Sequence, residues 1–65
     1  MQLIVNGDDH HLKMVSTVQD LLNELTLDGR LAVEVNNNIV PRSQYRIHIL
    51  HPGDRIEIIR AIGGG

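Results

Sequence analysis

With 65 residues, 42% of them hydrophobic, the chain is long enough for one small apolar core and too apolar for a disordered segment. It has no cysteine, which excludes disulfides, thiolate metal sites and a thiol nucleophile. A formal charge of −2, no basic cluster and Tyr45 as the only aromatic residue besides the histidines exclude a nucleic-acid surface, which needs a positive stripe and stacking rings.

Met1 to Val5 is a β-branched apolar run stopped by Asn6-Gly7, a strong hairpin signal, with Asp8-Asp9 extending the loop. His10 to Val15 reads as the returning strand, with Leu12 and Met14 on one face by the period of two. Ser16-Thr17-Val18-Gln19-Asp20 is a helix start. Either hydroxyl fits as N-cap, Thr17 better because Asp20 then lies three residues on, at the positive end of the helix dipole. Val18, Leu21, Leu22 and Leu25 make one apolar stripe, and Asp28-Gly29 closes the segment. So short a helix must pack on a sheet to persist.

Leu31 to Asn36 is a third strand with Val33 and Val35 on one face, and Asn36-Asn37-Asn38 is a turn by composition. Ile39-Val40 is a brief strand ended by Pro41, and Ser43 to Arg46 fits one helical turn. Ile47 to Leu50 are expected to return apolar side chains to the core, before a turn at His51-Pro52-Gly53-Asp54. The last strand is Arg55 to Ala61, with Ile56 and Ile58 facing one way and Ile59 and Ala61 the other. The order strand, strand, helix, strand, short strand, strand implies an α+β roll in which one main helix crosses a mixed sheet of four to five strands. Residues 1–65 are expected to form a single domain, with 62–65 a flexible tail. No apolar run approaches membrane length and no signal-peptide pattern opens the chain, so neither a membrane nor a secretory route is expected and the location is expected to be cytoplasmic.

The tail is Gly63-Gly64-Gly65. Glycine has no Cβ, so such a segment can lie in a channel too narrow for side chains. Its carboxylate, with a reference pKa of about 3.5, is ionised at neutral pH and unreactive until activated, but it is the least hindered acyl group a chain end can offer. A frayed terminus is the plain alternative.

Further residues carry a resemblance over essentially the whole length. They are Leu3-Ile4-Val5-Asn6-Gly7, Thr17-Val18-Gln19-Asp20-Leu21-Leu22, Val33-Glu34-Val35-Asn36, Ile39-Val40-Pro41-Arg42-Ser43, Pro52-Gly53-Asp54-Arg55-Ile56-Glu57-Ile58 and the Gly-Gly end. The chain resembles the sulfur carriers of thiamine biosynthesis (ThiS), within the ubiquitin-like β-grasp group. The resemblance implies that a ThiF-type, E1-like partner uses ATP to adenylate the carboxylate of Gly65. A cysteine-derived sulfur donor then makes a thiocarboxylate, and a ThiG-type thiazole synthase takes the sulfur. Gly63 and Gly64 would thread the partners' active sites. The chain would be a protein co-substrate, not an enzyme, and would bind no cofactor of its own. With no cysteine, any covalently carried sulfur must sit at the C-terminus.

Ile59, Arg60 and Ile62, just before the glycines, are candidates for partner docking. The alternatives are that Ile59 and Ile62 close the core or pack under Tyr45, and that Arg60 is a solvated edge charge. His10, His11, His48 and His51 invite a metal reading, but neighbours on a strand point to opposite faces, and His48 and His51 have only Asp54 near them, so no metal is expected. Ser16, Ser43 and the two threonines lack a visible base partner. Within the carrier class, a role like that of the molybdopterin-synthase small subunit, or a protein-conjugating role, is the alternative. From another class, the alternative is a β-grasp module that only binds partners.

Overall fold

The computed structural model describes residues 1–60. Two hairpins frame it. The first joins β1 (Gln2–Val5) to β2 (Asp8–His11), the second β3 (Leu31–Val35) to β4 (Asn38–Val40). Both loops have two residues, and in both the two central residues take positive φ: 50° and 85° at Asn6 and Gly7, 51° and 70° at Asn36 and Asn37. This is the pattern of type I′ turns, whose twist matches that of the strands they join.

The turn also explains where β2 starts. The Asn6-Gly7 turn brings the chain back at once and pairs Val5 with Asp8, so Asp8-Asp9 belong to the strand instead of the loop. Turn geometry sets register, and register overrides the low strand propensity of aspartate. The strand then ends at His11, not Val15. Leu12 stays beside β1 by exchanging bonds with Met1, and the chain bends at Lys13-Met14. Met14 is therefore 87% exposed and does not share a face with Leu12, while Leu12 and Val15 enter the core.

Helix α1 spans Val18–Glu24. Thr17 is its N-cap: its hydroxyl accepts from the Asp20 N–H at 3.1 Å, and the Asp20 carboxylate accepts from the Thr17 N–H at 3.1 Å and the Ser16 N–H at 2.9 Å. This reciprocal capping box satisfies donors that a helix start leaves free. The exit lies earlier than Asp28-Gly29. Leu25 is the C-cap, Thr26 takes φ 57°, and the Thr26 and Leu27 N–H groups donate to the carbonyls of Asn23 and Leu22. These are the two bonds of a Schellman ending, which places a left-handed residue just past the helix.

A single 3-10 turn, Arg42–Gln44, follows β4, and β5 spans Arg55–Arg60. The five strands lie in the order β2-β1-β5-β3-β4, with β5 parallel to β1 and the other neighbours antiparallel. The last strand is thus the central one. Helix α1 covers one face, where Val18, Leu21 and Leu22 join Leu3, Val5, Val33, Val35, Ile56 and Ile58 in one buried cluster. Tyr45 belongs to that cluster, and its hydroxyl donates to the Leu31 carbonyl at 2.9 Å. The arrangement is the α+β roll expected from the element order, and the β-grasp that the resemblance implies.

The segment before β5 departs from expectation. Leu50 is buried, but Ile47 and Ile49 are 64% and 54% exposed. Residues 48–50 make an antiparallel bridge with 16–18, the Leu50 N–H donating to the Ser16 carbonyl and the Val18 N–H to that of His48. An extended segment pinned in this way turns alternate side chains outward, so not all of them can return to the core. Among the described residues, no helix is long and apolar enough to cross a membrane.

Candidate functional site

The parity of β5 decides which of its side chains are available. Ile56 and Ile58 point under the helix, so Arg55, Glu57 and Ile59 point to the face that the helix leaves open. Ile59 is 60% exposed and lies opposite Ala32 of β3. It neither closes the core nor packs under Tyr45, and of the two alternatives for this residue the exposed one holds. Glu57 lies directly opposite Glu34, which in turn faces Ile39 of β4, itself exposed. Ile4 lies opposite Arg55 on the other side of β5. The open face therefore carries aliphatic groups around two opposed carboxylates along the length of β5, with Ile59 nearest the end at Arg60.

Arg60 ends the described part of β5. Its guanidinium donates through Nη1 to the Asp28 carbonyl at 3.2 Å, close to Gly29, where a Cβ would come within 3.4 Å of the same nitrogen. Gly29, at φ 87°, thus serves the loop that receives Arg60. Ile62, Gly63, Gly64 and Gly65 lie outside the described residues, as does Ala61.

Two asparagines hold β5 from its two sides. Asn36, at the start of the second hairpin turn, donates its N–H to the Arg55 carbonyl at 2.7 Å and accepts the Arg55 N–H on Oδ1 at 2.9 Å. Its Nδ2 donates to Asp54 at 3.0 Å. Asn6, at the start of the first turn, donates its N–H to the Ile56 carbonyl at 2.9 Å. Its side chain then accepts the Ile58 N–H at 2.8 Å and donates to the Ile58 carbonyl at 3.1 Å. The carboxamide replaces the next peptide group of β1, which has already turned away. Asn-Gly and Asn-Asn are visible in the sequence as turns, but the strand each side chain grips is 52 or 19 positions away and gives no local signal.

The other sequence candidates are not brought together. His10 and His11 are neighbours on β2 and pair with Leu3 and Gln2 of β1. His51 is bound into its own turn, its N–H donating to Asp54 Oδ2 at 2.8 Å, with its Nδ1 3.9 Å from that oxygen. Among the described residues no group of three or more His, Cys, Asp or Glu side chains gathers as a metal site. Asp20 is held below the usual carboxylate range by the bonds it accepts from the Ser16 and Thr17 backbone, which is the work of a cap. An open hollow of about 440 Å³ beside it is lined by Thr17, Gln19, Asp20, Asn23 and Arg46. No serine or threonine hydroxyl there or elsewhere among the described residues is bonded to a histidine.

Residues 3–65 match the model of the ThiS family. The chain belongs to the ThiS family. It is 35% identical to the sulfur carrier protein ThiS of Escherichia coli over 66 aligned positions, which cover all of both chains. It is 44% identical to a thiazole synthase of Paramagnetospirillum magneticum, again over its full length, but it spans only 20% of that protein. Among solved structures, the fold is similar to the crystal structure of the thiamine biosynthesis protein ThiS of Geobacter metallireducens. There the TM-score is 0.85, the identity 28%, and each chain is fully covered.

Proposed function

We propose that this chain is the sulfur carrier protein of thiamine biosynthesis, and that its reactive group is the carboxylate of Gly65. The observation that carries this reading is the family match, which runs through residue 65 and so includes the glycines. In the proposed cycle a ThiF-type partner binds ATP, and a carboxylate oxygen of Gly65 attacks the α-phosphorus and releases pyrophosphate. Sulfide-level sulfur derived from cysteine then attacks the acyl carbon as hydrosulfide, AMP leaves with the acyl oxygen, and a proton is lost to give the thiocarboxylate. The sulfur passes to a ThiG-type thiazole synthase. A protein named thiazole synthase carries a region 44% identical to the whole of this chain, which supports carrier and synthase acting side by side.

The carrier is a substrate of its partners and needs no active site. Its own contribution is to offer an unhindered acyl group on a narrow tail, Gly63 and Gly64, and a surface by which partners find it. That surface is the open face of the sheet. Ile59 is its exposed apolar group nearest the tail; Arg60 and Ile62 follow in the chain, Arg60 with the opposite parity and its guanidinium on the Asp28 carbonyl. An exposed apolar group beside a reactive end is the arrangement expected of a recognition site.

Adding one alanine after Gly65 tests the reading. The extended carrier should lose adenylation and sulfur loading completely while still binding the ThiF-type enzyme through the sheet. An extended protein that is still loaded would mean that Gly65 is not the reactive group. Full support of thiamine synthesis by the extended protein would favour a binding module.

A further inference from the structure

Among the described residues, the central strand has backbone partners on both sides as far as Ile58, where one side chain supplies the contact on the β1 side. The β1 side of β5 is occupied in three steps. The Ile4 N–H donates to Asp54, the Asn6 N–H donates to Ile56, and the Asn6 carboxamide holds both backbone groups of Ile58. Backbone groups alternate along a strand, so Arg60 has the parity of Ile56 and Ile58. Its N–H and C=O therefore face the β1 side, one step beyond Asn6, and among the described residues nothing bonds them. Residues 59 and 60 keep β3 as their one strand neighbour, through Ala32 and Leu31, and the Arg60 guanidinium adds its bond to the Asp28 carbonyl.

We propose that Asn6 is a positioning residue for the reactive end of the chain: by gripping Ile58 it fixes the point from which the segment toward Gly65 is measured. This inference rests on the carrier reading. A carrier must deliver one carboxylate to an active site at a set reach from its docking face. Among the described residues Ile58 is the last one held on both sides, so its anchor sets where β5 leaves that two-sided grip relative to the docking face. Without the carboxamide the described end of β5 loses its anchor on the β1 side. Each residue that must then be ordered again during docking adds conformational entropy to the binding step, a factor of roughly 5–30 in affinity per residue. The loss falls on binding, not on chemistry, since the acyl group itself is unchanged.

Asn6 sits at φ 50°, so the substitution that removes the grip without straining the turn is Asn6→Gly. Asn6→Asp is the second variant. It tolerates the same φ and still accepts the Ile58 N–H, but sets an oxygen against the Ile58 carbonyl. Val40→Ala, in the core at β4, is the control for a general loss of stability. The assays are amide hydrogen exchange and steady-state adenylation by the ThiF-type enzyme, with the carrier as the varied substrate. The expected result for Asn6→Gly is at least tenfold faster exchange at Ile58 with the Leu21 amide unchanged, a KM for the carrier raised about 5–30-fold, and kcat within twofold. Asn6→Asp should show a smaller rise in KM, and Val40→Ala none. Equal KM values for Asn6→Gly and wild type, or a rise as large in Val40→Ala, would overturn the inference while leaving the carrier reading intact. Wild-type protein that is never adenylated would overturn both.

Discussion

Ile56 and Ile59 are the same residue type on the same strand, and the fold assigns them opposite roles. Ile56 has no exposed surface, whereas Ile59 is 60% exposed on the open face. Shortening Ile56 to valine removes one methylene from a packed site and should cost about 0.5–1.5 kcal/mol. A chain of 65 residues has a total stability of only about 3–10 kcal/mol, so the loss is easily measured. Each 1 kcal/mol moves the Tm of a domain this small by roughly 4–8 °C. Ile59→Ala, a larger truncation, should change stability by less than about 0.5 kcal/mol because most of the side chain already faces water. It should instead weaken docking by about 1–2 kcal/mol, a five- to thirty-fold fall in kcat/KM for adenylation. Stability is best followed by far-UV circular dichroism in urea, since the chain has no tryptophan and one tyrosine. Ile59→Ala destabilising as much as Ile56→Val would refute the facing of β5. Ile59→Ala matching wild type in both assays would refute the docking role.

Thr17→Ala removes the hydroxyl that accepts the Asp20 N–H and should cost about 1 kcal/mol, read as a lower urea midpoint at unchanged slope. Asp20 gives the pH dependence. Its folded-state pKa lies below the ordinary 3.8, so its contribution is present above that value and is lost as pH falls through the folded pKa. Asn in its place should therefore be less stable than wild type at pH 7, with the gap closing in acid unfolding curves taken below about pH 3.8. Glu57→Gln relieves two like charges placed directly opposite each other and should raise stability by about 0.2–1 kcal/mol, with the gain shrinking in high salt.

The local chemistry of the chain was readable where a residue and its partner are close in sequence. Thr17 and Asp20 form the expected cap, Asn6-Gly7 the expected turn, and the stripe Val18, Leu21, Leu22 lies on the core. The alternation of β5 was readable too: it turns Ile59 away from Ile56 and Ile58, while leaving its exposure open between docking and closing the core. That it stays exposed depends on the helix covering one face only. The helix exit was missed because Thr26 holds a conformation that glycine or asparagine usually takes, and β-branched residues rarely do. The start of β2 was missed because Asp8 and Asp9 look like loop residues, and only the two-residue turn forces them into the ladder. The gripping roles of Asn6 and Asn36 were beyond reach, since they appear only once β5 is placed between the two hairpins.

The measurement that bears most directly on the central claim is the intact mass of the protein. It should be taken before and after incubation with ATP, the ThiF-type enzyme and a cysteine-derived sulfur source, with fragmentation of the product. Sulfur loading at Gly65 gives a gain equal to one sulfur replacing one oxygen, located on that residue, and no gain when ATP is omitted. An unchanged mass in the presence of a binding, ATP-competent partner, or a modification located anywhere but Gly65, would contradict it.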